Sequence, residues 1–156
     1  RGCMEAYASA TALIRDTKRA MEKDKTSAMW DFVGGSLDAV DGRTSFECAK
    51  KGDKAAMEVV ENYVKYLGEG VCNFINIFRP QAIILGGGVC AQGEYLLKPL
   101  REFVKANTYG HRARNGNHRG DARQRRRAYR RGFVDAGRRR GNAFVKNNIH
   151  NEINGA

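Results

Sequence analysis

The stretch Arg79-Pro80-Gln81-Ala82-Ile83-Ile84-Leu85-Gly86-Gly87-Gly88-Val89 decides how the chain is read. Pro80 cannot continue a helix, and residues 81–85 are too few for a helix yet apolar enough for a strand buried on both faces. The reading is a central parallel strand. Gly86, Gly87 and Gly88 then permit backbone angles closed to other residues and carry no side chains, so another segment or a phosphate or ribose can approach closely. A following helix over roughly 94–107 completes a strand, glycine turn and helix, an α/β unit of the kind that receives nucleotides at the carboxyl ends of its strands. The same glycines also suit a plain tight turn, and the segment alone leaves both readings open.

Working outward, the element before the strand is the longest in the chain. Asp53 suits an N-cap, and behind it Ala56, Val59, Val60, Tyr63, Val64, Leu67, Val71, Phe74, Ile75 and Phe78 recur at three- and four-residue steps. This predicts a helix reaching to Pro80, buried nearly all round from Val71 to Phe78. Gly68 and Gly70 lie inside it and weaken it by about 1 kcal/mol each relative to Ala, so they mark close helix packing or a bend. Upstream, residues 4–21 read as one amphipathic helix, 29–33 as a helical turn ended by Gly34 and Gly35, 36–43 as a loop, and 44–51 as a short helix closed by Gly52. Downstream, Pro99 belongs in the first turn of its helix, which predicts regular helix from about Leu97 with Leu100, Phe103 and Val104 buried.

Charge divides the chain near Gly110. Of the net charge of +11, residues 110–156 contribute +10, with 13 Lys and Arg against 3 Asp and Glu. Residues 1–109 hold 15 against 14, or +1. The basicity therefore belongs to the tail and not to the apolar, helix-patterned part. From His111 to Arg131 scarcely a large apolar residue occurs, and runs such as Arg125-Arg126-Arg127 and Arg138-Arg139-Arg140 repel one another, so this segment cannot bury enough surface to offset its ordering entropy. Cys3, Cys48, Cys72 and Cys90 form no C-x-x-C pair and no disulfide framework, which indicates reduced thiols and a cytoplasmic setting. No signal peptide and no membrane-spanning apolar run is present. The chain begins at Arg1 rather than Met, the mark of a segment within a longer protein.

Arg1-Gly2-Cys3-Met4-Glu5, with Ala6-Tyr7-Ala8-Ser9-Ala10-Thr11-Ala12-Leu13 after it, resembles the end of the C-x-C-G-x-R-G-C-x-E signature of ROK-family sugar kinases, especially the glucokinases. The likeness continues through Asp41-Gly42-Arg43-Thr44, Lys51-Gly52-Asp53, Tyr66-Leu67, Asn73-Phe74-Ile75-Asn76-Ile77-Phe78-Arg79-Pro80 and Ile84-Leu85-Gly86-Gly87-Gly88-Val89. It covers residues 1 to about 110. The resemblance implies the C-terminal part of an actin-like (ribonuclease H-like) ATPase fold, helix-rich with a short central strand. The implied activity is transfer of phosphate from Mg-ATP to glucose or a related hexose at the 6-hydroxyl.

Residue by residue, the resemblance implies that Glu5 hydrogen-bonds sugar hydroxyls, that Cys3 is one ligand of a structural zinc, and that Gly86, Gly87 and Gly88 lie by the nucleotide. A carboxylate accepts paired hydrogen bonds from vicinal hydroxyls, and a thiolate suits tetrahedral zinc. Without the motif, Glu5 reads as a charge complementing a helix dipole and Cys3 as a small buried hydrophobe. The family's catalytic aspartate, first phosphate loop and remaining zinc ligands would precede Arg1, so no catalytic residue is assigned and the isolated chain is expected to be inactive. The family also implies a homo-oligomer for the intact protein.

The domain reading is thus a partial C-terminal lobe over 1–110 and an arginine-rich tail over 111–156, frame-shifted or disordered. Read one base later from Ala113, residues 113–135 permit Pro-Ala-Thr-Glu-Ile-Thr-Val-Ala-Thr-Leu-Gly-Asn-Asp-Ala-Gly-Leu-Ile-Gly-Ala-Ala-Leu-Leu-Met, a family-like ending. Asn115, Asn117, His118, Asp121, Gln124 and Tyr129, which leave little codon choice, all comply. Two alternatives stand beside the kinase: a sugar-responsive transcriptional regulator of the same family, and a nucleic-acid-binding protein whose tail contacts RNA or DNA nonspecifically through counterion release.

Overall fold

The computed structural model describes residues 2–80, 82–108 and 143–146. The helices are α1 (Glu5–Ala8), α2 (Ala10–Lys23), α3 (Met29–Phe32), α4 (Thr44–Lys50), α5 (Lys54–Phe78) and α6 (Glu94–Asn107), with strands β1 (Ala82–Leu85) and β2 (Ala143–Lys146). Short 3-10 turns occupy Leu37–Ala39 and Gly88–Gln92. The elements gather around α5, which packs against α1, α2, α4 and α6.

Helix α5 starts where the sequence predicts. Asp53 is extended at the cap and its Oδ1 accepts from the Ala56 N–H at 2.8 Å, satisfying a donor that has no partner within the helix. It ends at Arg79, whose φ of 46° is left-handed and whose N–H returns to the Ile75 carbonyl at 2.9 Å. Pro80 follows, where helix cannot continue. Its buried stripe meets Phe46 of α4, which is fully buried and packs edge-on against Tyr63 and Tyr95 at ring separations of 6.4 and 6.2 Å.

Four expectations are corrected by the structure. The helix predicted over 4–21 is broken at Ser9, which turns extended (φ −88°, ψ 167°) and accepts from the Ala12 N–H to cap α2. Local side-chain capping thus outcompetes a continuous hydrogen-bond ladder. The second half of α5 is buried on one side only: Val71, Cys72 and Ile75 are covered, whereas Phe74, Ile77 and Phe78 are 48%, 70% and 69% exposed, because no described element lies over that face. Helix α6 spans Glu94–Asn107, which agrees with the reading of 94–107 and corrects the start near Leu97 inferred from Pro99; Pro99 lies past its first turn, and buried Leu96 and Leu97 fix the earlier start. The strand forms at 82–85, but it is neither parallel nor buried on both faces. It pairs antiparallel with β2, Ala82 opposite Lys146 and Leu85 opposite Ala143, and Ile84 remains 60% exposed.

Of the tail, the four residues of β2 are described; the expectation of disorder or a frame shift concerns residues that otherwise lie outside the described ones.

The two glycines inside α5 mark close packing, as expected. A Cβ at Gly68 would lie 2.9 Å from Cε1 of Phe103 on α6, and one at Gly70 would overlap the thioether of Met4. The two sites differ in what must give way. Phe103 is a rigid ring held between helices, whereas Met4 is a flexible side chain 37% exposed. Replacing Gly by Ala in a helix gains about 1 kcal/mol of propensity, and overpacking a rigid neighbour costs about 1–3 kcal/mol. Gly68→Ala is therefore expected to lower the unfolding free energy by about 1 kcal/mol and Gly70→Ala to leave it unchanged or raise it slightly. Denaturant titration of both variants checks this, and equal losses would contradict it.

Candidate nucleotide and sugar site

Two neighbourhoods hold the residues singled out by sequence. The first is the short helix α1. Glu5 is its first residue and is exposed, and its carboxylate takes no hydrogen bond or ion pair among the described residues. Cys3, two residues earlier, is an exposed free thiol, which rules out its reading as a buried hydrophobe. Helix α1 is fixed to the body by Met4 over Gly70, by Tyr7 tilted against Tyr66 at 5.1 Å between ring centroids, and by Arg15, which donates to the Ala6 carbonyl at 2.9 Å. Arg15 is itself held by a two-point contact with Asp16 at 2.8 and 2.9 Å. That forked geometry sets the guanidinium direction. A free carboxylate on a helix fastened at three points can accept from hydroxyls without reorganising.

The second neighbourhood is the glycine turn. Gly87 has φ 100° and ψ 170°, a conformation that side chains with a Cβ rarely adopt, and nothing lies within 4 Å of where a Cβ would stand at Gly87 or Gly88. The turn therefore exposes backbone to open space, which is what the approach of a ligand requires. Its other side is anchored. Val89 is buried and its Cγ2 is 3.8 Å from the Cβ position of Gly42, and Gln92 is buried against α4. The motif at 41–44 and the glycines are thus brought together, although more than forty residues separate them in sequence. Glu5 and Cys3 belong to the other neighbourhood, across α5.

Sequence reasoning missed Lys50 and Gln92. Lys50 Nζ donates to Gln92 Oε1 at 2.8 Å and to Glu47 Oε1 at 2.7 Å, tying α4 to the end of the glycine turn. The spacing of Glu47 and Lys50 signals an ordinary surface pair, and nothing local points to Gln92. Two open grooves, of about 550 Å³ between α2 and α5 and about 780 Å³ between α5 and α6, include none of Cys3, Glu5, Gly86, Gly87 or Gly88.

A structural zinc needs about four ligands in tetrahedral array. Among the described residues no group of three or more His, Cys, Asp or Glu comes together, so Cys3 can supply one ligand and the chain's described part does not build the site. No chemistry is derived through it.

The electrostatics of the second neighbourhood centre on Asp41. Burial on its own would raise its carboxyl, but hydrogen bonds from the Arg43 N–H at 2.9 Å, Arg43 Nε at 3.0 Å and Thr44 Oγ1 at 3.1 Å outweigh it and hold the group below the ordinary 3.8. Those bonds start α4 and so set the platform under Val89. Because the folded value is depressed, the stabilisation is present above the unfolded value and is lost as pH falls through the folded one. Thermal midpoints are expected to stay level from about pH 7 to 5 and to drop below about pH 4. Asp41→Asn should soften that drop and cost about half a kcal/mol at neutral pH, since the group is partly solvent-screened. A drop equally steep in the variant would contradict the assignment.

Comparison with known proteins places the chain in a family. A profile described as the ROK family matches residues 1–127. The chain is 38% identical over 104 residues to a glucokinase of Thermotoga maritima, covering 67% of this chain and 32% of that protein. It is 30% identical over 109 residues to a xylose repressor of Bacillus spizizenii, covering 70% of this chain and 24% of that protein. Among solved structures, a ROK family glucokinase from Streptomyces griseus, crystallised with glucose and AMPPNP, superposes with a TM-score of 0.63 at 32% identity, over 68% of this chain and 35% of that one. The chain spans about a third of the length of the curated glucokinases it matches. It belongs to the ROK family and carries part of that family's actin-like ATPase fold.

Proposed function

We propose that this chain is the C-terminal part of an ATP-dependent glucokinase that phosphorylates glucose at the 6-hydroxyl. The observation that carries the reading is its 38% identity to the Thermotoga glucokinase, against 30% to the Bacillus spizizenii repressor. Similarity to a structure crystallised with glucose and AMPPNP supports the substrate pair. In this reading Glu5 accepts from vicinal sugar hydroxyls, for which its unpaired, exposed carboxylate is suited. Gly86, Gly87 and Gly88 lie against the nucleotide, where absent side chains leave backbone N–H groups accessible to phosphate or ribose.

Phosphoryl transfer is mostly positioning and charge stabilisation: acceptor hydroxyl, Mg-bound phosphates and a base must be held together. This chain supplies two of the surfaces, one for sugar and one for nucleotide. The base, an aspartate in the family, is proposed to lie upstream of Arg1, with the remaining zinc ligands. The isolated chain then binds nucleotide without turning it over. A cytoplasmic homo-oligomer is proposed for the intact protein. The arginine-rich tail is read as the product of a one-base shift near residues 110–112, and any contact it makes with nucleic acid as nonspecific.

The isolated chain should give no glucose 6-phosphate above background with Mg-ATP, whereas a gene product extending upstream of Arg1 should give it readily. In that product Glu5→Gln is expected to raise the glucose KM by about tenfold or more, from loss of charge-assisted hydrogen bonds, with the ATP KM changed less than about twofold. A coupled phosphorylation assay reads both. Salt-sensitive DNA binding without sugar phosphorylation would instead identify a regulator.

A further inference from the structure

We propose that Lys50 is a positioning residue that holds the glycine turn in a nucleotide-receiving shape, acting through Gln92. The inference rests on the reading of residues 86–88 as nucleotide-facing.

Lys50 is the last residue of α4, and Gln92 is the last residue of the 3-10 turn Gly88–Gln92. Three groups fix the Lys50 ammonium: Gln92 Oε1 at 2.8 Å, Glu47 Oε1 at 2.7 Å and the Tyr95 ring, whose centroid is 5.8 Å away. Tyr95 is in turn packed on the fully buried Phe46, so the ammonium is held against the rigid centre of the molecule. Gln92 is only 9% exposed. A side-chain amide so placed needs its partner, because an unpaired buried carbonyl oxygen is costly.

The turn is a short 3-10 segment hinged at both ends. It is flanked by Gly87 at φ 100° and Gly93 at φ 58°, and the bonds Cys90 N–H to Gly87 O and Gly93 N–H to Cys90 O, both 3.1 Å, join it to those glycines. Buried Val89 anchors its beginning, and the Lys50–Gln92 bond anchors its end. Without the second anchor, the two permissive glycines can swing the segment between them as a unit, away from the receptive orientation. Nucleotide binding would then have to select the receptive one, and affinity would fall by the fraction lost. A plain surface pair with Glu47 would be of little consequence, since both side chains are more than a third exposed. The bond to Gln92, spanning 42 residues, gives Lys50 its positioning role.

The test uses the full chain and two readouts, amide hydrogen exchange and calorimetric binding of Mg-ADP. Lys50→Met is expected to speed exchange across residues 86–93 by about tenfold, leave residues 54–67 unchanged and weaken Mg-ADP by about tenfold. Lys50→Arg should return both to within about threefold of the parent, since it keeps a cationic donor. Gln92→Met breaks the same bond from the other side and should reproduce both changes, and combining it with Lys50→Met should add nothing. Unchanged exchange at 86–93, or faster exchange with unchanged Mg-ADP affinity, would overturn the role of Lys50 while leaving the nucleotide reading of the turn intact. A parent chain that binds no Mg-ADP would remove that reading and this inference together, and the exchange data would show separately whether the anchor exists.

Discussion

The carboxylate of Asp53 is the constraint on which the helical body depends. Its Oδ1 caps α5 through the Ala56 N–H, while its Oδ2 accepts from the Ser27 hydroxyl at 3.0 Å and the Ala28 N–H at 2.7 Å. One side chain thus satisfies the open ends of two helices that start about 25 residues apart. Trp30, just inside α3, donates to the Met21 and Asp24 carbonyls and so closes the end of α2 as well. The segment from α2 to α5 is therefore joined through polar termini before its apolar faces meet. With those ends fixed, Met21, Met29 and Phe46 can all be fully buried against α5.

Helix α5 then separates two chemical neighbourhoods. Gly70 and Tyr66 receive α1 and with it the Glu5 carboxylate, while α4 and α6, packed on other positions of the same helix such as Tyr63 and Gly68, hold the glycine turn. Phe74, Ile77 and Phe78 are exposed at the far end of α5, with Phe74 and Phe78 stacked on each other, and Ile84 of β1 is exposed as well.

Much of this was legible in the chain itself, and the reasons are local. The three- and four-residue spacing from Ala56 to Ile75 fixes α5, and Asp53 and Pro80 bound it, because capping and helix termination act within one turn. The ordered motifs from Cys3 to Val89 identify the ROK family. They also mark Glu5 and the glycines as candidates, since residue type and spacing suffice for that.

Tertiary structure decided what depends on neighbours distant in sequence. The strand at 82–85 was recognisable from its apolar run, but its antiparallel partner at 143–146 and its exposed Ile84 were not, because pairing direction is a property of two segments. Only packing could reveal that Gly68 yields to Phe103, that Gly42 admits Val89, and that Lys50 reaches Gln92 rather than solvent. Sequence determined which elements form and which family they belong to, since those follow from short-range periodicity and motif order. The folded chain determined which distant partners Gly42, Gly68 and Lys50 meet, since contact across forty residues leaves no mark in local composition.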